Sequence, residues 1–170
     1  MTRLPRRRLT TIGVRPTRSF CGPFCHTRAR RVSNQAQEDK NVTVTEIQTL
    51  AQRLADGYDK NDMKSVLEML SEDVEVFTHV PYRSDGKQLF AKYLNETFGA
   101  IGSTSFGFRQ PSCRVYNDNV GIVNAYDMFV GATKDGKAMT IHGRTTLVFV
   151  KQGGNWKIVS CHFSTRPPTP

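Results

Sequence analysis

No apolar run in this 170-residue chain approaches the roughly 18 residues that a membrane-crossing helix needs, so a helical span is not expected. Cysteine is scarce. Cys21, Cys25, Cys113 and Cys161 are the only four, and their spacing is not that of a disulfide scaffold, so free thiols in a reducing compartment are the expectation. Cys21, Cys25 and His26 form a CxxxCH cluster, but no second ligand pair accompanies it and no metal triad occurs elsewhere. Neither a metal nor a cofactor is therefore expected. Acids are missing altogether from the first 37 residues, which hold nine arginines.

That last absence accounts for the net charge of +9, because from Glu38 onward basic and acidic residues balance at fifteen each. A neutral domain gives no reason to expect a nucleic-acid face on it. Residues 1–42 are rich in Arg, Thr and Ser and broken by Pro5, Pro16 and Pro23, with no secretory-type apolar stretch. This composition suits a transit peptide, which would send the protein to the mitochondrial matrix or a plastid. The alternative is a retained basic arm on a cytoplasmic protein. One domain over 43–166 and a short tail over 167–170 complete the expected organisation.

Within that domain, Thr43-Val44-Thr45-Glu46 has the form of a capping box, followed by Ile47, Leu50, Ala51, Leu54 and Tyr58 at helical spacing. Asn61 or Asp62 caps a second, shorter helix, with Met63, Val66, Leu67 and Leu70 on one side. Val74 to Val80 reads as a strand, and Ser84 or Asp85 starts a third helix running through Phe98. The rest reads as strand. The segments are Ser105–Tyr116, bent at Pro111; Val120–Ala132 after an Asn117-Asp118-Asn119 turn; Met139–Lys151 after Asp135-Gly136; and Trp156–Ser164 after Gly153-Gly154. Helices followed by a meander of long strands predict an α+β fold, three helices packed on one face of a curved, mostly antiparallel sheet.

If both glycine-containing turns hold two residues, strand alternation places Tyr126, Thr145 and His162 in one row and Asn124, Leu147 and Ser160 in the next. Met128, Gly143 and Ser164 form a third row on the same face. This predicts a polar pocket under the helices, with His162 and Tyr126 as catalytic candidates and Thr145, Ser164, Ser160 and Asn124 as ligand-binding ones. Asp127 falls opposite Arg144 on the other face, as a cross-strand ion pair. No acid then lies on the polar face, unless Asp56, Asp59 or Glu75 reaches in. The second face is apolar enough to want a partner subunit as cover.

The order of elements, with Arg144-x-Thr146-x-Val148, Gly154-x-Trp156-Lys157-Ile158-Val159 and His162-x-Ser164, resembles the nuclear transport factor 2-like superfamily. The SnoaL-like members and the association domain of calcium/calmodulin-dependent protein kinase II are the most similar. This resemblance implies a cone-shaped fold, a pocket between helices and sheet, and a dimer or larger ring. The stretch Ser160 to Pro167 also resembles the end motif of iota-class carbonic anhydrases at His162, Ser164 and Pro167, and departs from it at Ser160, Cys161, Phe163 and Arg166. That resemblance implies that Tyr126, His162 and Ser164 hold bicarbonate. The expected functions are a pocket for a small polar, anionic ligand with lyase or hydratase chemistry, a non-catalytic association module, or an isomerase or cyclase of SnoaL type.

Overall fold

Between Phe24 and Asp56 the stretch contains neither Pro nor Gly, so nothing in its composition breaks a helix. In the computed structural model, which describes residues 24–80 and 82–165 (side chains at Glu38 and from Thr43 on), a single helix α1 runs Phe24–Asp59. The expected capping box at Thr43-Glu46 is therefore interior to a helix rather than its start. Cys21 and the side chains of Cys25 and His26 lie outside the described residues, as do Met1–Pro23 and the prolines after Thr165. Backbone contacts divide the chain into Met1–Gln35 and Ala36–Pro170. Of the first unit only the opening turns of α1 are described, and everything below concerns the second.

The remaining elements are α2 (Met63–Glu68), β1 (Leu70–Phe77), β2 (Ser84–Asp85), α3 (Lys87–Gly99), β3 (Ile101–Tyr116), β4 (Val120–Thr133), β5 (Ala138–Gln152) and β6 (Asn155–Thr165). Asp62 caps α2 as expected, accepting from the Ser65 N–H at 3.1 Å. Leu70, expected on that helix, instead opens β1. Ser84 and Asp85 do not start α3. They pair with Val76 and Glu75 as β2, and α3 begins after Gly86 without a side-chain cap.

One six-stranded sheet has the order β2-β1-β6-β5-β4-β3, antiparallel throughout except for the β1–β6 pair. The α+β expectation holds. Its core joins Ile47, Leu54 and Tyr58 of α1 and Phe90 and Leu94 of α3 to Val123, Leu147, Phe149 and Cys161 on the inner sheet face. Among the described residues Cys113 and Cys161 are free thiols, the latter pushed up to about 12 by burial. No helix among the described residues is long and apolar enough to cross a membrane.

Register decides which side chains share a face, and here two one-residue differences from the sequence expectation matter. At the first hairpin only Gly136 has positive φ (+88°), and Asp135 does not. A two-residue type I′ turn needs both central residues there, so the loop takes a third residue and becomes Lys134-Asp135-Gly136. Thr133 then pairs with Lys137, closed by the Thr133 N–H donating to the Lys137 carbonyl at 3.0 Å. Tyr126 consequently faces Arg144, not Thr145. At the second hairpin the Gly153-Gly154 turn is as expected, and Gln152 faces Asn155. A bulge then intervenes: Phe149 faces Ile158 but Val148 faces Ser160, leaving Val159 extra. Beyond it His162 faces Thr146, not Thr145.

The inner face of β4 and β5 therefore carries the odd-numbered residues Val123, Asp127, Thr145, Leu147 and Phe149, all buried, while the even-numbered ones face outward. Leu147→Ala should lower unfolding free energy by about 2–5 kcal/mol, whereas Tyr126→Ala, on the opposite face, should change it by no more than about 0.5 kcal/mol. Urea denaturation of both variants checks this. A loss above about 2 kcal/mol for Tyr126→Ala would place that ring inside and refute the register.

Candidate active site

Along the inner side of β4 the sequence reads Val123, Ala125, Asp127, Phe129, an acid inserted into an apolar series. The Asp127 side chain sits at a cavity of about 130 Å³ between α1, α3 and the sheet. Tyr58 from the end of α1 lines it. So do Tyr93 and Phe98 of α3, Phe106 of β3, Ile141 of β5 and Phe163 of β6. Thr78 and His79, in the segment after β1, also border it, with His79 solvent-exposed.

Asp127 is only 3% exposed. The buried Thr145 hydroxyl donates to its Oδ2 at 2.6 Å, and no partner is recorded for Oδ1 among the described residues. Directly across the ladder stands Gly143. A Cβ there would lie 2.5 and 2.7 Å from the two carboxylate oxygens, so only glycine leaves room for the carboxyl to lie against the neighbouring strand. Burial holds the Asp127 carboxyl above the ordinary carboxylate range, opposed by the Thr145 bond and by the positive potential of His79 and His142. The result is a carboxyl poised in an apolar enclosure, the environment in which a carboxyl becomes a stronger base.

Tyr58 is 7% exposed, and its ring packs against Phe106 (centroids 5.2 Å), Phe98 (5.7 Å) and Phe163 (6.2 Å). Burial, with smaller contributions from Cys161 and Tyr93, pushes its hydroxyl well above the usual phenol range, so it remains a donor. The Tyr58 hydroxyl has no recorded hydrogen bond among the described residues, and no buried side-chain polar atom there lacks a partner. Tyr58 borders the cavity.

The expected site residues are not gathered here. Tyr126 (46% exposed), Asn124 and His162 are exposed on the outer face, and Ser160 and Ser164 lie half-buried on that same face. Of the six, only Thr145 faces inward, and it is engaged with Asp127. Asn124 Oδ1 accepts from Thr146, and His162 meets the edge of Phe77 at 5.8 Å. Asp127 forms no ion pair with Arg144, because the corrected register sets it against Gly143. Asp56, Asp59 and Glu75 do not line the cavity. Among the described residues no group of three or more His, Cys, Asp or Glu is arranged to hold a metal ion.

Below the ordinary carboxylate pKa of about 3.9 Asp127 is protonated in both folded and unfolded chains and costs nothing. Above it the unfolded chain ionises first, so a penalty on the folded state grows with pH until its own raised pKa is passed and stays constant beyond it. Asp127→Asn should therefore raise the melting temperature at pH 7, and the gain should shrink toward pH 4. Gly143→Ala should lower it at both. Thermal melts at the two pH values check the pair, and a destabilised Asp127→Asn at pH 7 would show that the carboxylate is fully compensated.

Comparison with known proteins agrees with this architecture. Residues 47–169 match the family description of a SnoaL-like domain. A nuclear transport factor 2-like superfamily protein from Salmonella enterica serovar Typhimurium superposes with a TM-score of 0.68 at 21% identity, over 76% of this chain and 95% of that one. A provisionally named scytalone dehydratase from Novosphingobium aromaticivorans gives 0.71 at 16% identity, over 77% and 89%. A provisionally named calcium/calmodulin-dependent protein kinase II association domain from Xanthomonas campestris gives 0.59 at 19% identity, over 72% and 84%. No curated protein matches the chain.

Proposed function

We propose, from the premise that the chain belongs to the SnoaL-like domain family, that it is an acid–base enzyme moving protons on a small, neutral, largely apolar molecule. The observation that carries this reading is the buried Asp127 carboxyl, tethered by Thr145 through one oxygen, at an otherwise mostly apolar cavity. An apolar cavity of about 150 Å³ accommodates a benzene-sized guest, so 130 Å³ suits a compact, single-ring ligand. Asp127 would take a proton from carbon next to a carbonyl, and the Tyr58 hydroxyl would donate to the oxygen where negative charge develops. The proton held on Asp127 then has two destinations. Returned to another carbon it completes an isomerisation; given to a departing hydroxyl it releases water. The likeness to a provisionally named dehydratase supports the second.

The bicarbonate reading needed Tyr126, Thr145, His162 and Ser164 in one pocket. Thr145 faces inward and the other three outward, so the four do not share one pocket. A carboxylate at the inner cavity would also meet the like charge of Asp127.

Single-ring ketones and β-hydroxy ketones incubated in D₂O provide the test, with NMR following deuterium uptake next to the carbonyl and loss of water. Asp127→Asn should reduce the rate by about 10²–10⁴-fold, and Tyr58→Phe by about 10²-fold or more. The rate should climb with pH on a limb lying above the ordinary carboxylate range. A rate unaffected by Asp127→Asn in a folded variant would overturn the assignment.

A second role, self-association, is favoured by the outer sheet face. Phe77 is exposed there, and one row runs Glu75 (paired with Arg83 at 2.9 Å), Ser160, Val148, Ile122, Arg114, acid at one end and base at the other. Such a row is self-complementary about a two-fold axis. Light scattering should give a dimer or larger assembly. Glu75→Lys and Arg114→Glu should each weaken it and the double variant should restore it; a monomeric wild type would remove this role.

A further inference from the structure

The outer row two steps along from Glu75–Arg114 has a different character. Arg109, Tyr126, Arg144 and Ser164 are successive cross-strand partners on β3, β4, β5 and β6. Arg109 and Arg144 are thus two strands apart, about 10 Å at their Cα atoms by sheet spacing, with the Tyr126 phenol between them. Both arginines are exposed, and neither has an ion-pair partner among the described residues. The β-bulge between Arg109 and Ser112, with Gln110 at φ +50°, bends β3 immediately after Arg109. Here the sheet surface opens into a cleft of about 480 Å³ lined by Arg109, Gln110, Tyr126, Met128, His142 and Arg144.

We propose that this cleft is a binding site for a dianionic phosphate group. Two guanidinium groups supply matching charge and planar donor forks suited to phosphate oxygens. The Tyr126 hydroxyl and the His142 ring add donors between and beside them. The one acid bordering the cleft, Asp127, turns its carboxyl to the other side of the sheet, where Thr145 holds it. The side-chain charge presented to the cleft is therefore positive. The site is separate from the inner cavity and does not depend on the chemistry assigned there. It lies about 13 Å along the strands from the Glu75–Arg114 row.

Two sources could bring such a group, free inorganic phosphate and a phosphate ester of a small organic molecule. Isothermal titration of the full chain with inorganic phosphate and with phenyl phosphate distinguishes them. Saturable binding of both at similar strength supports recognition of the phosphate group alone, and tighter phenyl phosphate supports an organic ester. In either case Arg109→Gln and Arg144→Gln should each weaken binding at least about tenfold, and Arg53→Gln, on α1, should not. Because both side chains are exposed, circular dichroism should show the variants folded. Absence of saturable binding, or binding unchanged by both variants, overturns the proposal.

Discussion

A buried carboxyl resting against a glycine is the constraint around which the site is built. Asp127 can turn inward only because Gly143 leaves the space, and it can stay there only because Thr145 gives it a hydrogen bond. Around this polar contact the domain places aromatic and aliphatic side chains from α1, α3 and the sheet. Each apolar neighbour that stabilises the fold also raises the energy of the charged form of Asp127. Stability and basicity are thereby coupled through the same packing, the pattern expected where function imposes a local cost that the remaining core offsets.

The two faces of the sheet divide the work between different chemistries. Inside, one acid and two phenols, Tyr58 and Tyr93, border a mostly apolar space. Outside, arginines, a tyrosine and histidines lie open to solvent across neighbouring strands. Alternation of side chains along a strand keeps these sets apart by the thickness of the backbone alone. Asp127 and Tyr126, adjacent in sequence, thus belong to different sites.

This alternation is also why much of the fold was legible in the sequence and the site was not. Helical spacing in Ile47, Ala51, Leu54 and Tyr58 identifies the buried stripe of α1, and Asp62 and Gly153-Gly154 signal their cap and turn. The face assignment, by contrast, depends on counting residues through a loop and a strand. Asp135-Gly136 carries the signature of a two-residue turn but forms a three-residue one, and nothing in the local composition announces Val159 as a bulge. Each difference of one residue exchanges inside for outside: the unbroken count puts Tyr126 and His162 beside Thr145 and sets Asp127 against Arg144, where the sheet pairs Tyr126 with Arg144 and Asp127 with Gly143. The signal that pointed correctly was simpler: an acid standing alone among inward-facing apolar residues of β4. The start of α1 was missed for another reason, since Thr43-x-x-Glu46 fits a cap but the preceding residues contain nothing to stop a helix.

The central claim, that Asp127 is a buried carboxyl poised to take a proton, is tested most directly by carbon-13 NMR titration of its carboxyl resonance, assigned by comparison with Asp127→Asn. A titration midpoint clearly above the ordinary aspartate value of about 3.9 is the predicted result. A midpoint at or below that value would mean that the group is solvated or fully paired, and would contradict the account.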